Sequence, residues 1–254
     1  MTSVRPSPVF LTIVAVAAAS GGYVWRADSA TRPVRLVLFV FVMAVWVISL
    51  CLHEFAHAAL AWRFGDDEVE ARGYLTLNPL KYSHPLLSIV LPVVFIAMGG
   101  IGLPGGAVYV HPGRFRTRAQ RAAVSLSGPM VNAVLGILVL VVVARSWRVD
   151  HPHQIFWAAM AFLGLLQIMA ALLNLIPFPG LDGYGAIEPY LDPQFQRSAE
   201  QFKAYGMLAL FALLQVQSLN RAFFDLVYRI YDLSGLPEIL AGAGFELIKF
   251  WRPG

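Results

Sequence analysis

His53, Glu54 and His57 lie in the pentapeptide HEFAH, an H-E-x-x-H pattern that follows the apolar run Leu36–Leu52. On a helix, residues four apart share a face, so His53 and His57 can offer two imidazoles to one divalent ion. Glu54 stands beside them, where a carboxylate can take a proton from a water that the ion has made more acidic. Imidazole and carboxylate donors at this spacing suit Zn²⁺. Ionisable side chains are costly within a bilayer and mark functional positions there, so the apolar setting strengthens the chemical reading. The competing reading is a chance polar cluster that ends a membrane span at the headgroups.

A catalytic zinc takes three protein ligands and keeps one open position. HEFAH supplies two. The candidate third is Asp182, in the stretch NLIPFPGLDGYG (Asn174 to Gly185). Pro177, Pro179, Gly180 and Gly183 break the backbone there, and such breaks occur at membrane depth only where protein buries them or they line a cavity. An ordinary polar turn leaving the membrane would need no metal. Glu188 and Asp192 are rival ligands.

HEFAH, LTLNPL (Leu75 to Leu80), SGPMVN (Ser127 to Asn132) and NLIPFPGLDG (Asn174 to Gly183) follow one another in this order. Together they resemble the site-2 protease family of intramembrane zinc metalloproteases, in its compact bacterial form, over about residues 34–190. The resemblance implies that His53, His57 and Asp182 bind Zn²⁺ and that Glu54 is the catalytic base. It places Asn132 at the active site, helping to hold substrate or the developing oxyanion; the alternative for Asn132 is an interhelical hydrogen bond. It also implies a single-span membrane protein as substrate, of which an anti-sigma factor is one kind. The PDZ and CBS domains that some members carry have no counterpart in these residues.

The elements that must position these groups are apolar. Of the 254 residues, 58% are hydrophobic and 13% are charged, where a soluble domain carries about a quarter charged residues. Apolar segments near 9–25, 34–62, 86–103, 121–145 and 154–176 approach the length of a spanning helix, and a last one near 203–232 is interrupted by Gln215, Gln217, Asn220 and Arg221, so it reads as one short span followed by an interfacial helix. The expectation is an all-α polytopic membrane protein with five to six transmembrane helices. Closed barrels need alternating strands and are excluded. One membrane-embedded domain covers 1–254. The core is about 34–190, with an extra N-terminal span near 9–25 (a cleaved signal is the alternative) and a C-terminal span plus interfacial helix over about 203–254. The net charge of +4 with no compact basic domain argues against nucleic-acid binding. The single cysteine, Cys51, reads as a small buried apolar residue.

Convergence of the three ligands fixes topology. If every apolar segment crossed, Asp182 would end about 30 Å from the histidines. The segment near 86–110 must therefore return to the side it left. Its prolines and glycines, including Pro92, Gly99, Gly100, Pro104 and Gly105, spoil a continuous helix. A re-entrant loop or β-hairpin between the HExxH helix and the next span is expected, with GAVYV (Gly106 to Val110) strand-like and its Gly105–Val110 edge a candidate for holding substrate by strand addition. Ten arginines and lysines flank the HEFAH side against five on the other. The positive-inside rule then makes the protein multi-pass in the cell membrane, with its site near the cytoplasmic leaflet. His84, His111, His151 and His153 read as loop histidines. Besides hydrolysis, two other functions remain open: a zinc transporter, and a non-catalytic relative that binds substrate helices.

Overall fold

The computed structural model describes residues 4–82, 111–150, 152–203 and 212–252. Four helices among them are long and apolar enough to cross a membrane. They are α1 (Pro8–Trp25), α2 (Arg32–Arg63), α4 (Arg118–Ser146) and α5 (Gln154–Leu175). Shorter helices complete the described structure: α3 (Glu68–Ala71), α6 (Asp182–Ile187), α7 (Pro193–Lys203), α8 (Gln217–Asp232) and α9 (Glu238–Leu247). The described residues contain no strand. The bounds of the four long helices fall close to the expected runs, because apolar length at membrane depth leaves the backbone few alternatives to a helix. The expected re-entrant loop or hairpin, with the GAVYV strand, lies outside the described residues. A fifth or sixth span likewise depends on residues 204–211, which are also outside them.

Local signals account for the helix starts. Ser7 accepts a hydrogen bond from Phe10 N at 3.1 Å and Pro8 opens α1. Thr117 and Gln120 form a reciprocal capping box on α4, at 3.1 and 3.2 Å. Asn78 accepts from Leu80 N at 3.0 Å, making the turn expected of the N-P pair in LTLNPL.

The long helices pack through glycines. Without side chains between them, helices approach closely enough for backbone and side-chain contact, the main attraction available in lipid. A Cβ on Gly136 of α4 would lie 3.2 Å from Gln167 Cβ and 3.6 Å from the Gly164 carbonyl of α5. A Cβ on Gly21 of α1 would lie 2.8 Å from the Phe41 ring of α2. Helix α5 is the centre of the bundle: most of its residues are buried, including Phe162, Leu163, Leu166, Met169 and Leu173.

The C-terminal helix α9 covers the stretch read from its sequence as interfacial. It packs on α5, with Gly244 directly against the Ala158 carbonyl and Phe162, and Leu240, Ala241 and Ile248 buried. Arg35, at the start of α2, fastens its far end by donating to the carbonyls of Glu246, Lys249 and Leu247 at 2.9, 3.0 and 3.2 Å. These are the orphan acceptors of a helix C-terminus.

The described ends on either side of residues 83–110 lie close to the C-terminal half of α2. The Tyr82 hydroxyl donates to the Cys51 carbonyl at 3.2 Å, and His111 N donates to buried Asp66 at 2.8 Å.

Candidate metal centre

His53 and His57 sit on consecutive turns of α2, and both side chains are buried. Asp182 is the first residue of α6. The turn that delivers it is specific. Phe178 N donates to Ile176 O at 2.8 Å and Leu181 N to Phe178 O at 3.0 Å, while Gly180 takes φ 97°. That backbone angle favours glycine. Gly183 lies so close to the Leu175 and Ile176 carbonyls that a Cβ would collide with both. The D-G pair is thus an aspartate followed by the only residue that fits beneath the end of α5.

The three side chains converge. His53 Nε2 lies 3.1 Å from His57 Nε2 and 3.2 Å from Asp182 Oδ2, and His57 Nε2 lies 3.5 Å from Asp182 Oδ1. Ligands about 2.0 Å from a tetrahedral zinc stand about 3.3 Å apart, close to each of these separations, so the two imidazoles and the carboxylate are near enough to share one ion. Among the described residues this is the group of His, Cys, Asp and Glu able to hold a metal ion.

Hydrogen bonding orients both imidazoles. His57 Nδ1 faces the Val124 carbonyl of α4 at 2.7 Å, and a carbonyl can only accept, so Nδ1 carries the proton. Pro129 lacks the N–H that would bond Ser125 O and loosens the helical ladder beside this turn. His53 Nδ1 faces Asn132 Oδ1 at 2.5 Å. Asn132 Nδ2 in turn donates to Gln167 Oε1 of α5 at 2.7 Å. Both Nε2 atoms are left to point at each other and at the carboxylate. Asp182 Oδ2 is buried and accepts no hydrogen bond. Three acceptors aimed at one point need a cation between them. A single proton bridges two of the three, whereas Zn²⁺ satisfies all three. The residues present fit zinc.

The rival ligands are elsewhere. Glu188 is paired with Lys203 at 2.8 Å, and Lys203 also holds Glu200 at 2.7 Å. Asp192 accepts from Gln194 N at 2.7 Å in a local turn. An Asp182→Ala variant is therefore expected to lose zinc by about a hundredfold or more in affinity, while Glu188→Ala stays near wild type. Metal content after dialysis against a graded chelator reads both; equal loss in the two variants would undo this ligand assignment.

Glu54 is 3% exposed on the same helix. It stands one residue after His53 and three before His57 on α2. Asn132 is 1% exposed, and the interhelical hydrogen bond weighed for it is present, running to Gln167 on one side and to His53 on the other. Gln167 was not singled out from the sequence, although a lone amide within an apolar run was a usable signal. His111 lies against Glu68 at 3.1 Å and His153 stacks on Trp25, both apart from the three ligands. His84 and His151 lie outside the described residues.

Comparison with known proteins agrees with this site. The chain is 53% identical over 250 residues to the Mycolicibacterium smegmatis protein named "Putative zinc metalloprotease Rip2", covering 98% of this chain and 95% of that protein. It is 50% identical, with the same coverage, to the protein of that name in Mycobacterium tuberculosis strain H37Rv. It is 29% identical over 184 residues to the zinc metalloprotease YwhC, similarly named, of Bacillus subtilis, covering 70% of this chain and 81% of that protein. No family model matches the chain, and no solved structure does.

Proposed function

Because the chain belongs to the compact site-2-type family of zinc metalloproteases that includes the Rip2 proteins, we propose that it hydrolyses a peptide bond within or beside the membrane-spanning segment of another membrane protein. The observation that carries this reading is the meeting of His53, His57 and Asp182 between helices long and apolar enough to lie in lipid. A substrate helix could present its own backbone at that depth without leaving the bilayer.

Zinc held by these three residues would polarise a scissile carbonyl and make water a stronger acid. The residues of the chain do the rest. Glu54 accepts the proton of the attacking water and passes it to the leaving amine. Asn132 and the Val124 carbonyl keep both imidazoles in the tautomer that offers Nε2. The substrate segment must unwind locally before attack, because a helix hides its peptide groups in its own hydrogen bonds. The substrate class is a single-span membrane-anchored regulator, with an anti-sigma factor as one candidate. The protein sits in the cell membrane, with the metal end of the bundle, which carries Arg63, Arg72, Lys81, Arg114 and Arg116, facing the cytoplasm.

Transport is disfavoured because a conducting path needs polar groups at successive depths, whereas the described metal-binding groups gather at one. The test is cleavage of a model transmembrane peptide in bilayers. The expected result is a cut in or next to the apolar segment, abolished by chelation and restored by stoichiometric zinc. Cleavage confined to soluble peptides would remove the intramembrane part of the proposal. Bound zinc with no cleavage of any peptide would favour transport or a non-catalytic relative.

A further inference from the structure

Gln167 lies near the middle of α5, 2% exposed, and is hydrogen-bonded to Asn132 rather than to a ligand. Its Oε1 accepts from Asn132 Nδ2 at 2.7 Å, and Asn132 Oδ1 faces His53 Nδ1 at 2.5 Å. We propose that Gln167 is a positioning residue that sets the orientation of the Asn132 amide and, through it, the tautomer of His53. The proposal rests on the zinc-protease reading of this site.

The argument is one of donors and acceptors. The Asn132 amide has one accepting end and one donating end, of nearly the same shape. Only the accepting end is compatible with a protonated Nδ1, and only a protonated Nδ1 leaves the His53 Nε2 lone pair free for a metal in the neutral ring. Asn132 alone does not decide which end faces His53. An acceptor on its other side does decide it, and Gln167 Oε1 is that acceptor. Reversing the amide would set Nδ2 against Nδ1–H and leave two acceptors facing each other at Gln167, both at membrane depth where an unmade hydrogen bond is costly. Geometry holds the relay in place. Gly136, one turn beyond Asn132 on α4, brings the helices so close that its added Cβ would lie 3.2 Å from Gln167 Cβ.

The test is a double-mutant cycle read by zinc affinity, using chelator competition on the full chain in detergent. Gln167→Met keeps volume and removes the acceptor, and should weaken zinc on the order of 10- to 100-fold, as loss of an outer hydrogen-bond partner does. Gln167→Glu keeps an acceptor and should stay within a few fold. In an Asn132→Asp background both ends of residue 132 accept from Nδ1–H, so orientation no longer matters and Gln167→Met should cost little further affinity. A purely structural role for Gln167 would give the same loss in both backgrounds, and that result would overturn the proposal. Wild-type affinity in Gln167→Met would do so as well. The underlying reading fails in a different way: wild type would then bind no zinc, or bind it equally well after His53→Ala.

Discussion

A Glu54→Gln variant is expected to hold zinc as tightly as wild type and to lose turnover by on the order of 10²- to 10⁴-fold or more, the usual contribution of a positioned general base. The two halves of that result come from different parts of the site. Zinc is held by His53, His57 and Asp182, whose separations of 3.1, 3.2 and 3.5 Å do not involve residue 54. The imidazoles are oriented from α4, by Asn132 and the Val124 carbonyl. Glutamine keeps the volume and hydrogen-bonding shape of residue 54 but cannot take a proton from water. Cleavage of a transmembrane peptide and zinc content, measured on one preparation, separate the roles. Retained cleavage would exclude Glu54 as the proton acceptor. Lost zinc would mean that the carboxylate helps to build the metal site, which the ligand geometry does not call for.

The contrast with His53→Ala follows from the same geometry. Removing that imidazole takes away a ligand and leaves Asn132 Oδ1 without its donor at a position 1% exposed. Metal and activity should then fall together. A base variant that separates them and a ligand variant that does not would assign chemistry to one residue and binding to another on adjacent positions of a single helix.

Much of this site is legible in the sequence because its parts are local. His53, Glu54 and His57 are contiguous, and helical periodicity alone puts them on one side of α2. Asp182 is marked by the prolines and glycines around it, which have no place in an ordinary span. What the sequence leaves open is which acidic residue of the 182–192 region reaches the metal. The pairing of Glu188 with Lys203, fifteen positions on by residue number, removes it from contention, and no spacing rule announces that pair. The packing of α9 was illegible for a more general reason. In lipid, a protein surface and an acyl chain are both apolar, so an amphipathic pattern does not say which of them a helix face meets. Gly244 against Ala158 decides it for α9. Gln167 was legible in principle, as one amide within an apolar helix, but its meaning depends on Asn132, which lies on a different helix.

Gly128 carries the second large effect, and it was visible in the sequence only as a letter of SGPMVN. It sits on α4 opposite the two histidines. A Cβ built there would lie 2.5 Å from His53 Nε2 and 2.7 Å from His53 Cδ2, and closer still to His57 Nε2. Those are the ligating atoms themselves, and the methyl group would fill the space their lone pairs face. Neither ring can turn aside freely, since each Nδ1 is tied to α4 through Asn132 or Val124. Relief requires α4 to move away from α2, which would break both ties at once. Gly128→Ala should therefore weaken zinc by about a hundredfold or more, beyond the cost of losing a single outer partner, and overpacking should lower stability by about 1–3 kcal/mol. Gly22→Ala is the matched control. Its added methyl meets nothing within 4 Å, and alanine is the better helix former by up to about 1 kcal/mol, so zinc should be unchanged and stability equal or higher. Chelator competition and thermal unfolding on the two variants read both quantities. Wild-type zinc affinity in Gly128→Ala would mean that the imidazoles do not lie against α4 as described, and the tautomer argument built on that contact would go with it.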